Sequence, residues 1–316
     1  MPDPGLYRLI GANKRNSVLL AIVMIVFIAA LAGVLGRYQG GPVHGTEMAL
    51  TFAALGLVIA GIGALASYFM GASVIMAVSS ARKVEREDEP QLHNVVEELC
   101  IASGLPKPEI YLIEDSAPNA FACGRNPQHS AIAVTRGLMD KLSRGELQGV
   151  VAHELSHVDN YDILFATLMT VLVGTVVLMC DLFWRMSLFG GRRRRSSDRD
   201  RGGGQLELIL AVVALLLLIV SPLFAQLIQL AASRQREYLA DATAAKMTRD
   251  PENLARALEK IAGDPEPLEA ANRGTQHLYI VNPLKGKAMG ESQSWFSTHP
   301  PIRDRVDRLR AMAQQG

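Results

Sequence analysis

The stretch VVAHELSHVDN, residues 150–160, sets His153 and His157 four positions apart with Glu154 directly after the first. Positions i and i+4 share one face of a helix, so both imidazoles can offer a nitrogen to one ion at about 2.0–2.1 Å. Glu154 projects to the flank of that face, where its carboxylate can take a proton from a water at the ion. The plainer reading is three polar residues on an ordinary helix. Val150, Val151, Ala152, Leu155 and Val158 count against it, because unpaired polar side chains are costly to bury in apolar surroundings.

Two histidines do not complete a catalytic zinc site, which has three protein ligands and one open position. The third candidate is Glu237 in SRQREYLAD, residues 233–241, 80 positions beyond His157 (237 minus 157). Most of that gap is two apolar runs and the linker between them. Excising residues 163–232 leaves a join of helix-turn-helix length, so a hydrophobic hairpin is inserted between the second ligand and the third. Asp241 lies four residues after Glu237 and shares its face, placed to accept the second ring N–H of a ligand histidine and fix its tautomer. The expected set is therefore one Zn²⁺ per chain on His153, His157 and Glu237, backed by Asp241. Arg234 and Arg236 read as side chains snorkelling at a membrane end.

Hydrophobic residues make up 49 % of the 316, and mean hydropathy is +0.17. Four uncharged runs are long enough to cross a hydrocarbon core, which takes about 20 helical residues: Ser17 to Gly36, Met48 to Ser80, Ile163 to Cys180 and Leu208 to Ser233. The first two make a hairpin of retained anchors; a cleaved signal peptide is the alternative reading of the first. Arg37 is the sole base between them, whereas Arg82, Lys83 and Arg86 follow the second, which puts the N-terminus and residues 81–162 in the cytoplasm. The loop GRRRRSSDRDRGGG, 191–204, opposes simple counting with six arginines against two aspartates. It reads as a solvated Arg/Gly/Ser linker on either side. A net charge of +1 gives no polyelectrolyte argument for a nucleic-acid partner. Cys100, Cys123 and Cys180 are odd in number and lack a C-x-x-C pairing, so they read as reduced thiols.

The polar portion reads as mixed: a helix over 91–103, a strand in LPKPEIYLIE, a strand in AIAVT, and a capping box of Ser143 and Glu146 opening the motif helix. Helices follow over 233–247 and 251–263, and PPIRDRVDRLRAMA ends the chain as an amphipathic helix. The fold class is mainly α with a small β-sheet: a helical zincin-like metalloprotease domain with two N-terminal membrane helices and an inserted hydrophobic helical hairpin. Its parts are a membrane hairpin over 1–80, catalytic halves over 81–162 and 234–316, and the insertion over 163–233.

With NAFACG (119–124), VVAHELSHV, SRQREYLAD and STHPP (297–301) in this order between and around hydrophobic pairs, the chain resembles the HtpX-type membrane zinc metalloproteases, relatives of the CAAX prenyl endopeptidases. The resemblance implies an inner- or plasma-membrane endopeptidase, its active site facing the cytoplasm, that cleaves damaged or misassembled membrane proteins under stress. It makes Glu154 the general base and acid. It also implies a sheet edge at Asn119, Ala120, Phe121 and Ala122, or the nearby AIAVT, where an extended substrate adds as a strand. His299 takes the Thr-His-Pro position and polarises the scissile carbonyl or holds the oxyanion; a histidine capping the last helix is the equal alternative. Cys123 reads as packing.

His44, His93, His129 and His277 have no ligand partner at useful spacing and read as surface or capping residues. If the motif helix runs unbroken into Ile163, the metal sits on the order of 10 Å from the first membrane-facing turn, at 1.5 Å per residue, and substrates are met at the bilayer surface. The partners expected are protein substrates and the lipid bilayer; a homo-oligomer is compatible with the chain, and nothing selects one. Two rivals share the motifs: a prenyl-protein processing protease, disfavoured by only four apolar runs, and a non-catalytic adaptor with a structural zinc, which has no need of Glu154. A transporter ranks last, because the runs hold almost no ionisable residues.

Overall fold

The structure, a computed structural model, describes residues 4–172, 234–271, 275–281 and 300–314. Two long helices open the chain, α1 (Pro4–Gln39) and α2 (Gly41–Val78). Both are long and apolar enough to cross a membrane, over Ile10–Val34 and Gly41–Val78. They pack as a hairpin whose outer faces leave Val18, Leu19, Ile22, Leu57, Ile59 and Ile62 exposed, the side chains that lipid covers.

A four-stranded sheet follows, with β1 (Arg82–Lys83), β2 (Glu109–Ile113), β3 (Ala120–Asn126) and β4 (His129–Thr135) in the order β1-β2-β4-β3. The β2–β4 pair is parallel; β1–β2 and β3–β4 are antiparallel. Strand β4 reads as an unbroken apolar run because both faces of the sheet are covered. Ile132 and Val134 on one face, with Ala120 and Ala122 of β3, join the main core; Ala131 and Ala133, with Phe121 and Cys123, meet Ile75 and Met76 at the end of α2. The β3–β4 turn needs Gly124: its φ is +145°, and a Cβ there would run into the His129 carbonyl.

Helix α3 (Pro90–Ser103) packs on the main-core face and ends at Gly104 in the left-handed conformation. A short α4 (Arg136–Lys141) leads to α5 (Arg144–Asp159), which opens on the reciprocal capping box of Ser143 and Glu146. α5 does not run on into the third apolar run. Asn160 caps it, Tyr161 takes φ +60°, and a new helix α6 (Asp162–Leu172) begins. The continuous helix assumed for the depth estimate is thus replaced by a turn. α6 lays Leu164, Phe165, Leu168 and Met169 against Leu20 and Met24 of α1. The hairpin expected over 163–233 from the sequence lies, beyond residue 172, outside the described residues, and with it the 191–204 loop and the fourth apolar run.

Helices α7 (Arg234–Thr248), α8 (Pro251–Gly263) and α9 (Ile302–Ala313) complete the main core. α5 runs through the middle of it, nearly all of its length buried, against β3 on one side and α7 and α8 on the other.

Candidate active site

The inward face of α5 carries His153 and Glu154, almost fully buried, and His157, 17 % exposed at its side chain. α7 crosses beside it and brings Glu237 and Asp241. His153 Nε2 and His157 Nε2 are 3.2 Å apart, and Glu237 lies 3.7 Å from the first through Oε2 and 3.6 Å from the second through Oε1. Donors each about 2.0–2.1 Å from a tetrahedral ion are separated by about 3.3–3.4 Å. The three observed edges bracket that value, so the set fits one divalent ion. Among the described residues it is the one His/Cys/Asp/Glu group with that geometry.

Each imidazole is backed by a carboxylate. His153 Nδ1 is 3.0 Å from Asp241 Oδ1, and His157 Nδ1 is 3.0 Å from Asp162 Oδ2. A proton held at Nδ1 by these acceptors leaves both Nε2 lone pairs aimed at the common point. Sequence reasoning placed Asp241 on the right face and missed Asp162, which the turn at 160–161 swings back under His157.

Arg305 of α9 was missed as well. It is wholly buried and forks onto Asp241, Nε to Oδ2 at 2.8 Å and Nη2 to Oδ1 at 2.6 Å, while Nη1 donates to the Ile280 carbonyl at 3.2 Å. Its Nη2 is 3.4 Å from both ring nitrogens of His153, a position over the ring and not along a lone pair. The guanidinium also lies 3.4 Å from Glu237 Oε2. One legible signal existed: Arg305 interrupts the apolar stripe Ile302, Val306, Leu309 on the last helix.

Burial pushes the Glu154 carboxyl up to about 7, against the pull of His157 and of the Ala122 backbone N–H that donates to it. Burial also lowers His153. For His157 burial works downward, but the Asp162 hydrogen bond and the Glu237 charge outweigh it and raise the group to about 9. Burial would raise Asp241, yet Arg305 holds it below its ordinary range. A bound cation would press His157 and Glu154 toward their deprotonated forms.

The cleft over this cluster is lined by Ala122, Phe165, Arg236, His277 and Ile280 besides the cluster itself. His277, read from sequence as a surface or capping residue, is instead in the cleft wall, Nε2 3.0 Å from Thr170 Oγ1. His93 is buried also, its Nε2 3.0 Å from the Val84 carbonyl. Of the four residues expected to offer a strand edge, Ala122 reaches the cleft. Asn119 donates its side-chain amide to the Val281 carbonyl, the Ala120 carbonyl accepts from the Ile280 N–H, and the Phe121 ring packs edge-on to Tyr279. The edge expected to be free over 119–122 is thus covered at Asn119 and Ala120 by residues 280–281. Gly124 N–H, farther along the same edge, donates to Thr167 Oγ1. Cys123 is fully buried in the sheet, and its thiol is pushed up by burial. His299, Trp295 and Phe296 lie outside the described residues.

Residues 86–313 match the model of peptidase family M48. The chain is 42 % identical over 311 residues to a protease HtpX homolog of Dictyoglomus turgidum, with 98 % of this chain and 95 % of the relative covered. It is 43 % identical over 304 residues to a protease HtpX homolog of Syntrophobacter fumaroxidans, covering 96 % and 100 %. Among solved structures it is similar to the crystal structure of S. mikatae Ste24p, at a TM-score of 0.47 and 21 % identity, over 96 % of this chain and 67 % of that one. From the span of the family model and these near-complete matches, the chain belongs to peptidase family M48, as an HtpX-type membrane-anchored metalloprotease.

Proposed function

We propose that the protein is a zinc endopeptidase of the inner or plasma membrane, its catalytic domain in the cytoplasm, that cuts misfolded or damaged membrane proteins in stress-linked quality control. The observation that carries the reading is the convergence of His153, His157 and Glu237 on one point with Glu154 beside it. A His₂Glu set is a zinc donor set of hydrolytic enzymes. When bound, the ion supplies Lewis-acid polarisation of the scissile carbonyl and acidifies water at the site.

The protein's own residues do the rest. His153 and His157 present Nε2 because Asp241 and Asp162 hold their Nδ1 protons. Glu154, poised by burial near neutral pH, accepts a proton from the attacking water and returns it to the leaving amine. An extended peptide docks against β3 at Ala122, while Asn119, Ala120 and Phe121 hold that strand in place through residues 279–281. His299 is assigned the carbonyl oxygen. On this reading residues 81–162 and 234–316 are two halves of one catalytic domain around a membrane-associated insertion over 163–233. The cytoplasmic orientation is supported by Arg82, Lys83 and Arg86 after α2 and by Lys14 at the domain end of α1. Substrates at the bilayer surface are favoured because α6, one turn beyond His157, packs directly on a membrane helix.

The test is zinc content and casein cleavage by purified full-length protein. Glu154→Gln keeps the metal and loses cleavage, by about 10²-fold or more for a lost general base; His153→Ala loses both. Proteolysis undiminished in Glu154→Gln removes Glu154 from the mechanism, and a metal-loaded wild type without proteolysis leaves the adaptor reading.

A further inference from the structure

The structure ties the first membrane helix into the metal centre. Asn13 stands on α1 four residues before the apolar run begins at Ser17 and is followed by Lys14 and Arg15, where a polar side chain invites no comment. Yet it is 2 % exposed. A primary amide buried to that degree is stable only with its hydrogen bonds made. Its Nδ2 donates twice: to the carbonyl of Asn160, the residue that caps α5, at 2.9 Å, and to Asp162 Oδ1 at 2.6 Å. The other oxygen of the same carboxylate, Oδ2, holds His157 Nδ1 at 3.0 Å.

We infer that Asn13 is a positioning residue of the metal centre, fixing the Asp162 carboxylate that orients His157, so that the membrane anchor is also a working part of the site. This rests on His157 being a metal ligand.

Three observations make the link more than a stray packing contact. Asn13 engages both the end of the ligand helix and the carboxylate behind the ligand, so it sets their relative position. The neighbouring Lys14 lies 4.0 Å over the Tyr161 ring, which clasps the same turn from its other side. Leu20 and Met24 continue the contact along α6, so the donor is carried on an immobilised helix. Among the described residues, the cation paired with Asp162 is Arg236, whose Nη1 stands 3.7 Å from Oδ1, beyond hydrogen-bond distance. Loss of Asn13 therefore leaves the carboxylate free to rotate away from His157.

The experiment compares full-length wild type, Asn13→Leu, Asp162→Asn and the double variant in detergent, reading the zinc dissociation constant by competition with a chromophoric chelator. Activity on casein is followed across a zinc-buffered series. Loss of a partner behind a metal-bound histidine costs 10- to 100-fold in affinity, so Asn13→Leu is expected to raise the zinc Kd about tenfold. Its activity returns as free zinc is raised, which a general folding defect would not allow. In the Asp162→Asn background the same substitution adds less than about twofold, because the relay is already cut. Should Asn13→Leu not fold, Asn13→Ser carries the same comparison, being too short to reach Asp162. A zinc Kd within twofold of wild type, or an undiminished effect in the Asp162→Asn background, overturns the inference while the metal site stands. A wild type that binds no zinc overturns the metal-site reading, and this inference with it.

Discussion

Replacing Arg305 with methionine removes a wholly buried cation from the apolar stripe of α9. The substitution keeps most of the side-chain volume and deletes three charge-assisted donors, two to Asp241 and one to the Ile280 carbonyl. Asp241 remains, buried and without its guanidinium, which is the neighbour that holds its carboxyl ionised. Breaking a buried pair from one side costs about 3–5 kcal/mol. For a domain of roughly 150–250 residues each kcal/mol is about 2–4 °C in Tm, so the metal-free protein should melt roughly 6–20 °C lower. Arg305→Lys keeps the charge and loses the fork, so its loss should be smaller and still clear. The decisive comparison adds Asp241→Asn. If the two charges stabilise each other, the double variant loses less than the sum of the single losses, by about 1 kcal/mol or more. Thermal melts in detergent with the metal chelated read all five proteins, wild type included. Strict additivity, or an Arg305→Met melt within about 2 °C of wild type, would refute the pairing and with it the account of how His153 is held.

Metal uptake should release protons. His157 is raised to about 9, so between its ordinary value and 9 the metal-free protein carries a proton that Nε2 must lose; divalent affinity therefore rises with pH toward 9. Calorimetry at pH 7.5 in buffers of different ionisation enthalpy should show about one proton released per ion. The same shift has a stability sign: the protonated His157 contributes fully below its ordinary value, and its contribution is lost as pH rises through 9. Gly149→Ala places a Cβ 3.0 Å from the Leu254 backbone and should cost about 1–3 kcal/mol by parting α5 from α8, read as a lower Tm. Ser143→Ala removes one half of the capping box and should cost about 0.5–2 kcal/mol in the same melt, with zinc affinity unchanged because His153 lies beyond the frayed turn.

What could be read from the chain and what could not divides along a physical line. His153, His157 and Glu154 were legible because helical spacing alone fixes their face, and Glu237 with Asp241 because the same spacing recurs once the apolar insertion is excised. β4 was legible as a strand, although its unbroken apolar run does not say which faces are covered; that depends on α2 returning to the sheet. Asp162 was not legible, since its position follows from a turn whose Tyr161 adopts a positive φ that nothing in VDNYD announces. His277 sits outside any periodic element, in a segment whose path is set by pairing of Ile280 with Ala120. Asn13 looks like part of a cytoplasmic flank because its partners are 147 and 149 residues away. Local pattern reports which face a side chain occupies; it is silent on partners supplied by distant backbone.

The same contacts explain how the cluster can form although 80 positions separate His157 from Glu237. Asp162 is the last residue before the third apolar run, and Arg236, next to Glu237, follows the fourth; their side chains meet at 3.7 Å. Asp162 also backs His157, and Glu237 faces both imidazoles. Both ends of the insertion are therefore built into the centre itself. Once these ends are pinned, the geometry of the cluster is set by the contacts at Asp162 and Arg236 and not by the length of chain between them. The ends carry that burden, and α1 reinforces one of them through Asn13. The chain between His157 and Glu237 need not disturb the cluster, because the described residues at its two ends are those that hold His157.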